Sequence, residues 1–122
     1  MKLFLDDERM PEQAALYMQP RIGKLNPIYL EEWEIARTYA QFVIAITKHH
    51  KEITHVSFDH DLASISYNPL TQQEHFTYRE KTGCDCAVWM KNYYTKNNLE
   101  LPIMFVHSAN PIGVENIINV FK

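Results

Sequence analysis

The segment MKLFLDDERMP, residues 1–11, contains a short apolar run that stops abruptly at a pair of aspartates. The segment HVSFDHD, residues 55–61, repeats this pattern, because an apolar run again leads straight into aspartates. Short apolar runs bounded by turn signals are typical of buried strands. The two segments therefore predict two strands that deliver acidic side chains at equivalent, carboxyl-terminal ends. These acidic residues are Asp6, Asp7, Asp59 and Asp61.

Other segments complete an alternation of strands and helices. Apolar residues at helical spacing predict helices over about 39–50, from Gly83 to about Asn97 or Asn98, and from Pro111 onward. Residues 101–106 form a further apolar strand, and residues 33–38 fit either a strand or the start of a helix. The expected buried face of the first helix consists of Ala40, Val43, Ile44 and Thr47.

In two stretches of the sequence the apolar residues follow neither helical nor strand spacing. Residues 10–30 contain three prolines and a glycine, so we expect an irregular connection there, with a helical turn around Gln13 to Tyr17. Residues 62–82 mix polar and aromatic side chains, and a loop of this length in a small domain is often functional. We therefore predict that residues 62–82 form a lid over the functional site.

The alternation favours an α/β fold in which helices cover both faces of a parallel sheet, because parallel neighbours need crossover connections. At 122 residues the chain fits one domain, residues 1–122. Ligands of such sheets bind beyond the carboxyl ends of the strands. The acidic residues and the His107-Ser108-Ala109-Asn110-Pro111 segment fall at that edge, so we expect one functional site there.

The net charge and the composition limit the kinds of partner that this protein is expected to bind. The net charge of −3 argues against an extended nucleic-acid surface, which depends on Lys and Arg, whereas a small phosphorylated ligand stays compatible. The N-terminal segment fits neither a signal peptide nor a membrane span, so we expect no membrane partner and a cytoplasmic location. Cys84 and Cys86 lack the spacing and partners of a zinc site, which predicts reduced thiols in packing contacts.

Carboxylates at two adjacent strand ends repel one another unless a cation offsets the repulsion. Mg²⁺ and Mn²⁺ prefer oxygen ligands, and Mg²⁺ commonly combines one or two carboxylates with waters and the phosphate of a ligand. Asp6, Asp7 and Asp59 fit that description as metal ligands, and Asp61 is a candidate for orienting water. The alternative is that these acids are solvated turn residues, because aspartate is common where strands end.

His60 and His107 are candidate catalytic groups. Imidazole titrates near neutral pH and serves as a general acid, a general base, a metal ligand or a donor to phosphate. His107 is the stronger candidate, because Ser108 and a predicted helix start follow it. The alternative for each histidine is a buried, hydrogen-bonded structural role.

Three further residues are candidates for binding substrate. Ser108 and Asn110, with the backbone N–H groups where the last helix begins, can hold phosphate oxygens at the positive end of the helix. Their alternative role is helix capping. Arg9 can pair bidentately with a phosphate, or it can neutralise its own acidic neighbours.

Four motifs together resemble the cyclic-phosphate processing receiver-like domain family, a divergent form of the response-regulator receiver domain. They are L-D-D-E-R followed by Pro11, S-F-D-H-D-L, T-G-C-D-C-A-V-W-M and H-S-A-N-P-I-G, and they span nearly the whole chain. The resemblance implies a flavodoxin-like fold of three layers, α/β/α, with a short parallel sheet of order 2-1-3-4.

The same resemblance implies roles for individual residues. Asp6 and Asp7 match the metal-binding acid pair of receivers, Asp59 matches the phosphate-accepting aspartate, and Ser108 resembles the switch hydroxyl. Two departures are expected. The fifth strand and helix, with the phosphate-binding lysine, are missing from this pattern, and Asp61, His60 and His107 are additions.

The leading functional hypothesis is a metal-dependent phosphoesterase, dependent on Mg²⁺ or Mn²⁺, that processes a cyclic nucleotide or another cyclic phosphate. The resemblance further implies a role in bacterial or phage conflict. Asp59 helps to hold the metal, His107 donates a proton to the leaving oxygen or stabilises phosphoryl charge, and Asp61 and His60 orient water. Asp85 supports the site from the neighbouring helix. The alternatives are a non-catalytic cyclic-nucleotide sensor and a shortened phosphoacceptor receiver, and the oligomeric state stays open.

Overall fold

Strands and helices alternate along the chain. The computed structural model describes residues 1–22, 26–60, 67–68, 73–74, 82–108 and 110–122. The strands are β1 (Lys2–Leu5), β2 (Glu34–Ala36), β3 (His55–Phe58), β4 (Tyr67–Asn68), β5 (Gln73–Glu74) and β6 (Ile103–Val106). The helices are α1 (Pro11–Ile22), α2 (Tyr39–His49), α3 (Gly83–Lys96) and α4 (Pro111–Val120), with a 3-10 turn at Pro27–Leu30. None of the helices described here has both the length and the apolar character that a membrane crossing requires.

The central sheet has four parallel strands in the order β2-β1-β3-β6. β1 and β3 lie side by side in register from Lys2 opposite His55 to Leu5 opposite Phe58, so both strands end at the same level. Counting only the strands of this sheet, the order is 2-1-3-4. The predicted receiver-like α/β fold and its strand order are therefore confirmed.

The alternation of side chains along β1 divides the core between the two faces of the sheet. Leu3 and Leu5 belong to the larger cluster, which includes residues of β3 and of the helices α2, α3 and α4. Phe4 belongs to the smaller cluster on the other face, where its ring meets those of Tyr29 and Trp33 edge to face. Because α1 also contributes to this smaller cluster, helices cover both faces as predicted.

The chain between β1 and β2 is more regular than predicted. The expectation of one helical turn around Gln13 to Tyr17 was wrong in extent, because α1 runs from Pro11 to Ile22. Proline suits the first position of a helix, where its missing N–H has no intrahelical partner to lose. Residues 33–38 were predicted to form either a strand or the start of a helix. Within them, Glu34–Ala36 forms β2, and Thr38 caps the following helix α2.

Helix α2 has nearly the predicted bounds, but the prediction of its buried face was wrong. Phe42 and Ile46 are fully buried, whereas Ile44 of the predicted face is 63% exposed. Both faces keep helical spacing in the sequence, so the spacing alone does not separate them. The face that carries the aromatic ring removes more apolar surface from water, which decides the orientation of the helix.

Most of the predicted lid, residues 62–82, lies outside the described residues. Two short segments within it, β4 and β5, pair in an antiparallel sheet, with Tyr67 opposite Glu74. At the end of the stretch, Thr82 caps α3 by accepting a hydrogen bond from the backbone N–H of Asp85. The role of this stretch as a lid stays a prediction.

Tyr94 on α3 offers a test of packing. Its side chain is 2% exposed, and its hydroxyl has no hydrogen-bond partner among the described residues. Burial raises the pKa of Tyr94 to about 12. Because a buried hydroxyl without a partner carries a desolvation penalty, Tyr94→Phe is expected to raise the free energy of unfolding by about 1 kcal/mol in urea denaturation.

The matched control is Tyr29→Phe, which removes a buried hydroxyl that is hydrogen-bonded to Ser57. This variant is expected to lower the free energy of unfolding by about 1 kcal/mol. Equal destabilisation of the two variants would contradict the account.

Candidate metal centre

The backbone hydrogen bonds of the sheet continue one residue past the strand ends and thereby hold three residues of the site in position. The N–H groups of Asp6, Asp59 and His107 donate to the last carbonyls of β2, β1 and β3, at 3.1, 2.9 and 2.9 Å. Each of these residues directly follows a strand of the sheet, so the pairing places all three at one edge. The sequence prediction that the acidic strand ends lie together is confirmed for the described acids.

Asp6, Asp7 and Asp59 form a compact group of carboxylates. One oxygen atom from each residue can be chosen so that all three atoms lie within 4.8 Å of one another. Asp6 and Asp59 are buried and Asp7 is half-buried. Burial raises the pKa of Asp7, and the neighbouring charges of Asp6 and Glu8 raise it further. Like charges in such a group favour either protonation or a bound cation.

Asp6 is held at both of its carboxylate oxygens. Its Oδ1 accepts hydrogen bonds from the backbone N–H groups of Glu8 at 2.9 Å and Arg9 at 2.8 Å. Its Oδ2 lies 3.1 Å from Nε2 of His107. Burial by itself raises the pKa of Asp6, but these hydrogen bonds outweigh burial and lower the pKa to about 2. Asp6 is therefore ionised at neutral pH, as a metal ligand must be.

His107 has no exposed surface, and both of its ring nitrogens are engaged. Nε2 faces Asp6, and Nδ1 lies 2.6 Å from the Ser57 hydroxyl, which lies 2.8 Å from the Tyr29 hydroxyl. Burial lowers the pKa of His107, against the opposing effect of Asp6. These contacts favour the alternative of a hydrogen-bonded structural histidine over a proton donor to a leaving group.

Two arginines lie beside the acids. Arg9 places Nη1 3.7 Å from Oδ2 of Asp6, so its charge partly neutralises that carboxylate, which was one of its two predicted roles. Arg37, which follows β2, donates from Nη1 to the backbone carbonyls of Asp6 at 3.2 Å and of Arg9 at 2.7 Å. Arg37 thereby fixes the loop that carries the acid pair.

The turn after β3 is held by the first turns of two helices. The N–H of Gly83 in α3 donates to the carbonyl of His60 at 2.8 Å, and a Cβ at Gly83 would overlap the carbonyl oxygen of Asp59. A Cβ at Gly113 in α4 would overlap the imidazole of His60. Both glycines therefore permit a close approach to this turn, and His60 packs on the start of α4.

The remaining predicted residues occupy helix ends. The Ser108 hydroxyl accepts a hydrogen bond from the N–H of Asn110, and the Asn110 side chain caps α4 by accepting from Gly113. The Asp85 side chain accepts from the N–H of Thr82 and completes a capping box on α3. These are the capping roles expected as alternatives for Ser108 and Asn110. Asp61 lies outside the described residues.

Three residues of the site were missed by sequence reasoning: Tyr29, Arg37 and Ser57. Ser57 carried one usable signal, because it is a polar residue within the apolar run of β3. Tyr29 and Arg37 meet the site only through long-range contacts, across 28 and 31 positions of the chain.

A parallel sheet in this order, with an acid pair after β1 and an aspartate after β3, defines a receiver-like α/β domain. The family model of the cyclic-phosphate processing receiver domain matches residues 1–122, and the chain belongs to that family. No curated protein and no solved structure matches the chain significantly. Receiver domains bind a divalent metal through acidic residues, and Asp6, Asp7 and Asp59 form such a cluster here.

The lowered pKa of Asp6 predicts a dependence of stability on pH. Because the folded-state pKa of about 2 lies below the ordinary value of 3.8, Asp6 stabilises the fold above about pH 4. This stabilisation, on the order of 2 kcal/mol, is lost as the pH falls through about 2. We expect the free energy of unfolding, measured by urea denaturation in EDTA, to fall more steeply over this window in the wild type than in Asp6→Asn. Equal slopes would contradict the assignment.

The close approach of Gly83 to the Asp59 carbonyl predicts a steric effect. Gly83→Ala is expected to lower the free energy of unfolding by about 3 kcal/mol, because backbone atoms must shift to admit the methyl group. Cys84→Ala, at the next position of the same helix, is the control and is expected to change stability by less than about 1 kcal/mol. A Gly83→Ala protein as stable as the control would show that the turn is not held in this way.

Proposed function

We propose that this protein is a metal-dependent phosphoesterase that opens a cyclic nucleotide or another cyclic phosphate. The single observation that supports the proposal is the group of three carboxylates at the carboxyl edge of the sheet, in a member of a cyclic-phosphate processing family. Asp59 serves as metal ligand and not as phosphate acceptor in this proposal. Action in bacterial or phage conflict and a cytoplasmic location stay predictions.

The donor set suits Mg²⁺ or Mn²⁺, because these ions prefer oxygen ligands and the three acids offer only oxygen. Asp6, Asp7 and Asp59 would hold the ion. The Asp6 carboxylate accepts three hydrogen bonds, which leaves one of its roughly four lone-pair positions for the ion. A divalent cation supplies polarisation of the phosphoryl group and makes water more acidic.

The residues around the acids supply the remaining binding groups. Arg9, whose Nη1 lies beside Asp6, can turn its guanidinium toward a phosphate that approaches the same edge. The N-terminus of α4, with Ser108 and Asn110, contributes the positive end of a helix dipole near the phosphate. In this proposal these groups bind a phosphate next to the cation.

The reaction needs one water and one proton transfer. Water adds to phosphorus, the bond from phosphorus to one ring oxygen breaks, and a proton reaches that oxygen, which leaves a phosphomonoester and a free hydroxyl. His60, half-buried on the turn after Asp59, and Asp61, in the next position, are the candidates for orienting water and moving the proton. His107 acts on Asp6 instead of the substrate in this proposal.

One rival is favoured by a specific observation. Asp59 directly follows β3, the position at which a receiver accepts phosphate, so a phosphoacceptor receiver uses the same geometry. The second rival, a sensor that binds a cyclic nucleotide without turnover, uses the same binding residues. Both rivals differ from the proposal in the product that is formed.

Turnover separates the three functions. The full chain is incubated with Mg²⁺ or Mn²⁺ and a panel of cyclic mono-, di- and trinucleotides, and products are followed by chromatography and phosphorus NMR. The proposal expects new phosphomonoester ends that vanish with EDTA and return when the ion is restored. Binding without product would favour the sensor, and an acyl phosphate on Asp59 after treatment with acetyl phosphate would favour the receiver.

Asp59→Asn tests the role of the third carboxylate. The variant is expected to lose at least about 100-fold in turnover while its unfolding transition stays cooperative, because removing one charged ligand weakens the cation site without removing packing volume. Glu100→Gln, on the exposed segment before β6, removes one negative charge away from the site and is expected to leave turnover unchanged. An unchanged turnover rate in Asp59→Asn would remove Asp59 from the mechanism.

A further inference from the structure

A continuous series of hydrogen bonds runs from the smaller core cluster to the metal centre. The Tyr29 hydroxyl lies 2.8 Å from the Ser57 hydroxyl, and the Ser57 hydroxyl lies 2.6 Å from Nδ1 of His107. Nε2 of His107 then lies 3.1 Å from Oδ2 of Asp6. We name Tyr29, Ser57 and His107 the buried chain, because each of them is at most 3% exposed.

We propose that the buried chain positions the Asp6 carboxylate for cation binding and thereby raises the affinity of the site for a divalent cation. The three residues of the chain are positioning residues, since they act through Asp6 and do not touch a substrate. The inference rests on the metal site of the proposed function, but it does not depend on which substrate, if any, is turned over.

The chemistry of the side chains fixes the direction of every hydrogen bond in the chain. A carboxylate that binds a cation only accepts hydrogen bonds, so the hydrogen between Asp6 and His107 is carried by Nε2. In a neutral imidazole Nδ1 then accepts, so the Ser57 hydroxyl donates to it. The Ser57 oxygen in turn accepts from the Tyr29 hydroxyl. All hydrogens thus point toward Asp6, and a single imidazole tautomer is selected.

The chain completes the immobilisation of Asp6. Backbone N–H groups of Glu8 and Arg9 already hold Oδ1, and His107 holds Oδ2, so the carboxylate is restrained at both oxygens. The His107 ring is itself held, because it stacks on Phe4 with ring centroids 4.3 Å apart and an angle of 8° between the planes. A ligand that is already ordered loses less conformational freedom when the cation binds.

Packing alone is the competing explanation for the buried chain. Under that explanation, removing one hydroxyl changes stability but leaves cation affinity and the imidazole tautomer unchanged. Tyr29→Phe separates the two explanations, because it keeps the ring that contacts Phe4 and Trp33 and removes only the hydroxyl. Tyr94→Phe is the matched control, since it makes the same chemical change at a buried tyrosine outside the chain.

The experiment compares the wild-type chain with Ser57→Ala, Tyr29→Phe and Tyr94→Phe. The dissociation constant for Mn²⁺ alone is measured from the electron paramagnetic resonance signal of the free ion. The tautomer of His107 is measured in the metal-free wild type and variants by long-range ¹H–¹⁵N correlation NMR. Thermal unfolding confirms that each variant is folded under the conditions of measurement.

We expect the Nε2–H tautomer in the wild type and a loss of Mn²⁺ affinity of about 10-fold in Ser57→Ala, the lower end of the range for direct partners of metal ligands, because Ser57 reaches Asp6 only through His107. Tyr29→Phe is expected to lose less affinity than Ser57→Ala, because the hydrogen bond from Ser57 to His107 remains. Tyr94→Phe is expected to bind Mn²⁺ like the wild type.

Three results would overturn the inference: an Nδ1–H tautomer in the wild type, no Mn²⁺ binding by the wild type, or unchanged affinity in both chain variants. If Ser57→Ala does not fold, Tyr29→Phe and the wild-type tautomer decide the question. The expected affinity series without turnover of any cyclic nucleotide would contradict the proposed function and support this inference.

Discussion

Electrostatic repulsion among Asp6, Asp7 and Asp59 is the constraint on which the rest of this structure depends. Three carboxylates whose oxygens lie within 4.8 Å of one another oppose folding unless partners offset their charge. The molecule offsets part of it around Asp6, through backbone N–H groups, Arg9 and His107. Burial, together with the charges of Asp6 and Glu8, keeps the pKa of Asp7 raised, so ionising Asp7 beside Asp6 costs free energy. In the proposed function a divalent cation offsets this cost.

The register of the sheet brings these acidic residues together in one site. Parallel pairing of β1 with β3 ends both strands at one level, and the ladder of hydrogen bonds extends one residue further to set Asp6 and Asp59 side by side. The first turns of α3 and α4 close on the following turn through glycines. Fold and site are thus inseparable, because the same strand register that buries the core also concentrates the charges.

Periodicity and strand-end chemistry predicted the parts of this molecule that local sequence determines. The α/β alternation, the acid cluster and the Asn110 cap of α4 all follow from neighbouring residues. The buried face of α2 did not, because two faces share helical spacing and only tertiary packing selects Phe42. The contacts of His107 with Ser57 and Asp6 join residues 50 and 101 positions apart, which no local pattern encodes.

The central claim is that Asp6, Asp7 and Asp59 bind one divalent cation. Crystals of the chain grown with Mn²⁺ test it directly through an anomalous difference map, because manganese gives a much stronger anomalous signal than any atom of the protein. We expect one strong peak within metal-bonding distance of oxygens of these three aspartates, at the carboxyl edge of the sheet. Manganese bound elsewhere, with no peak between Asp6 and Asp59, would contradict it.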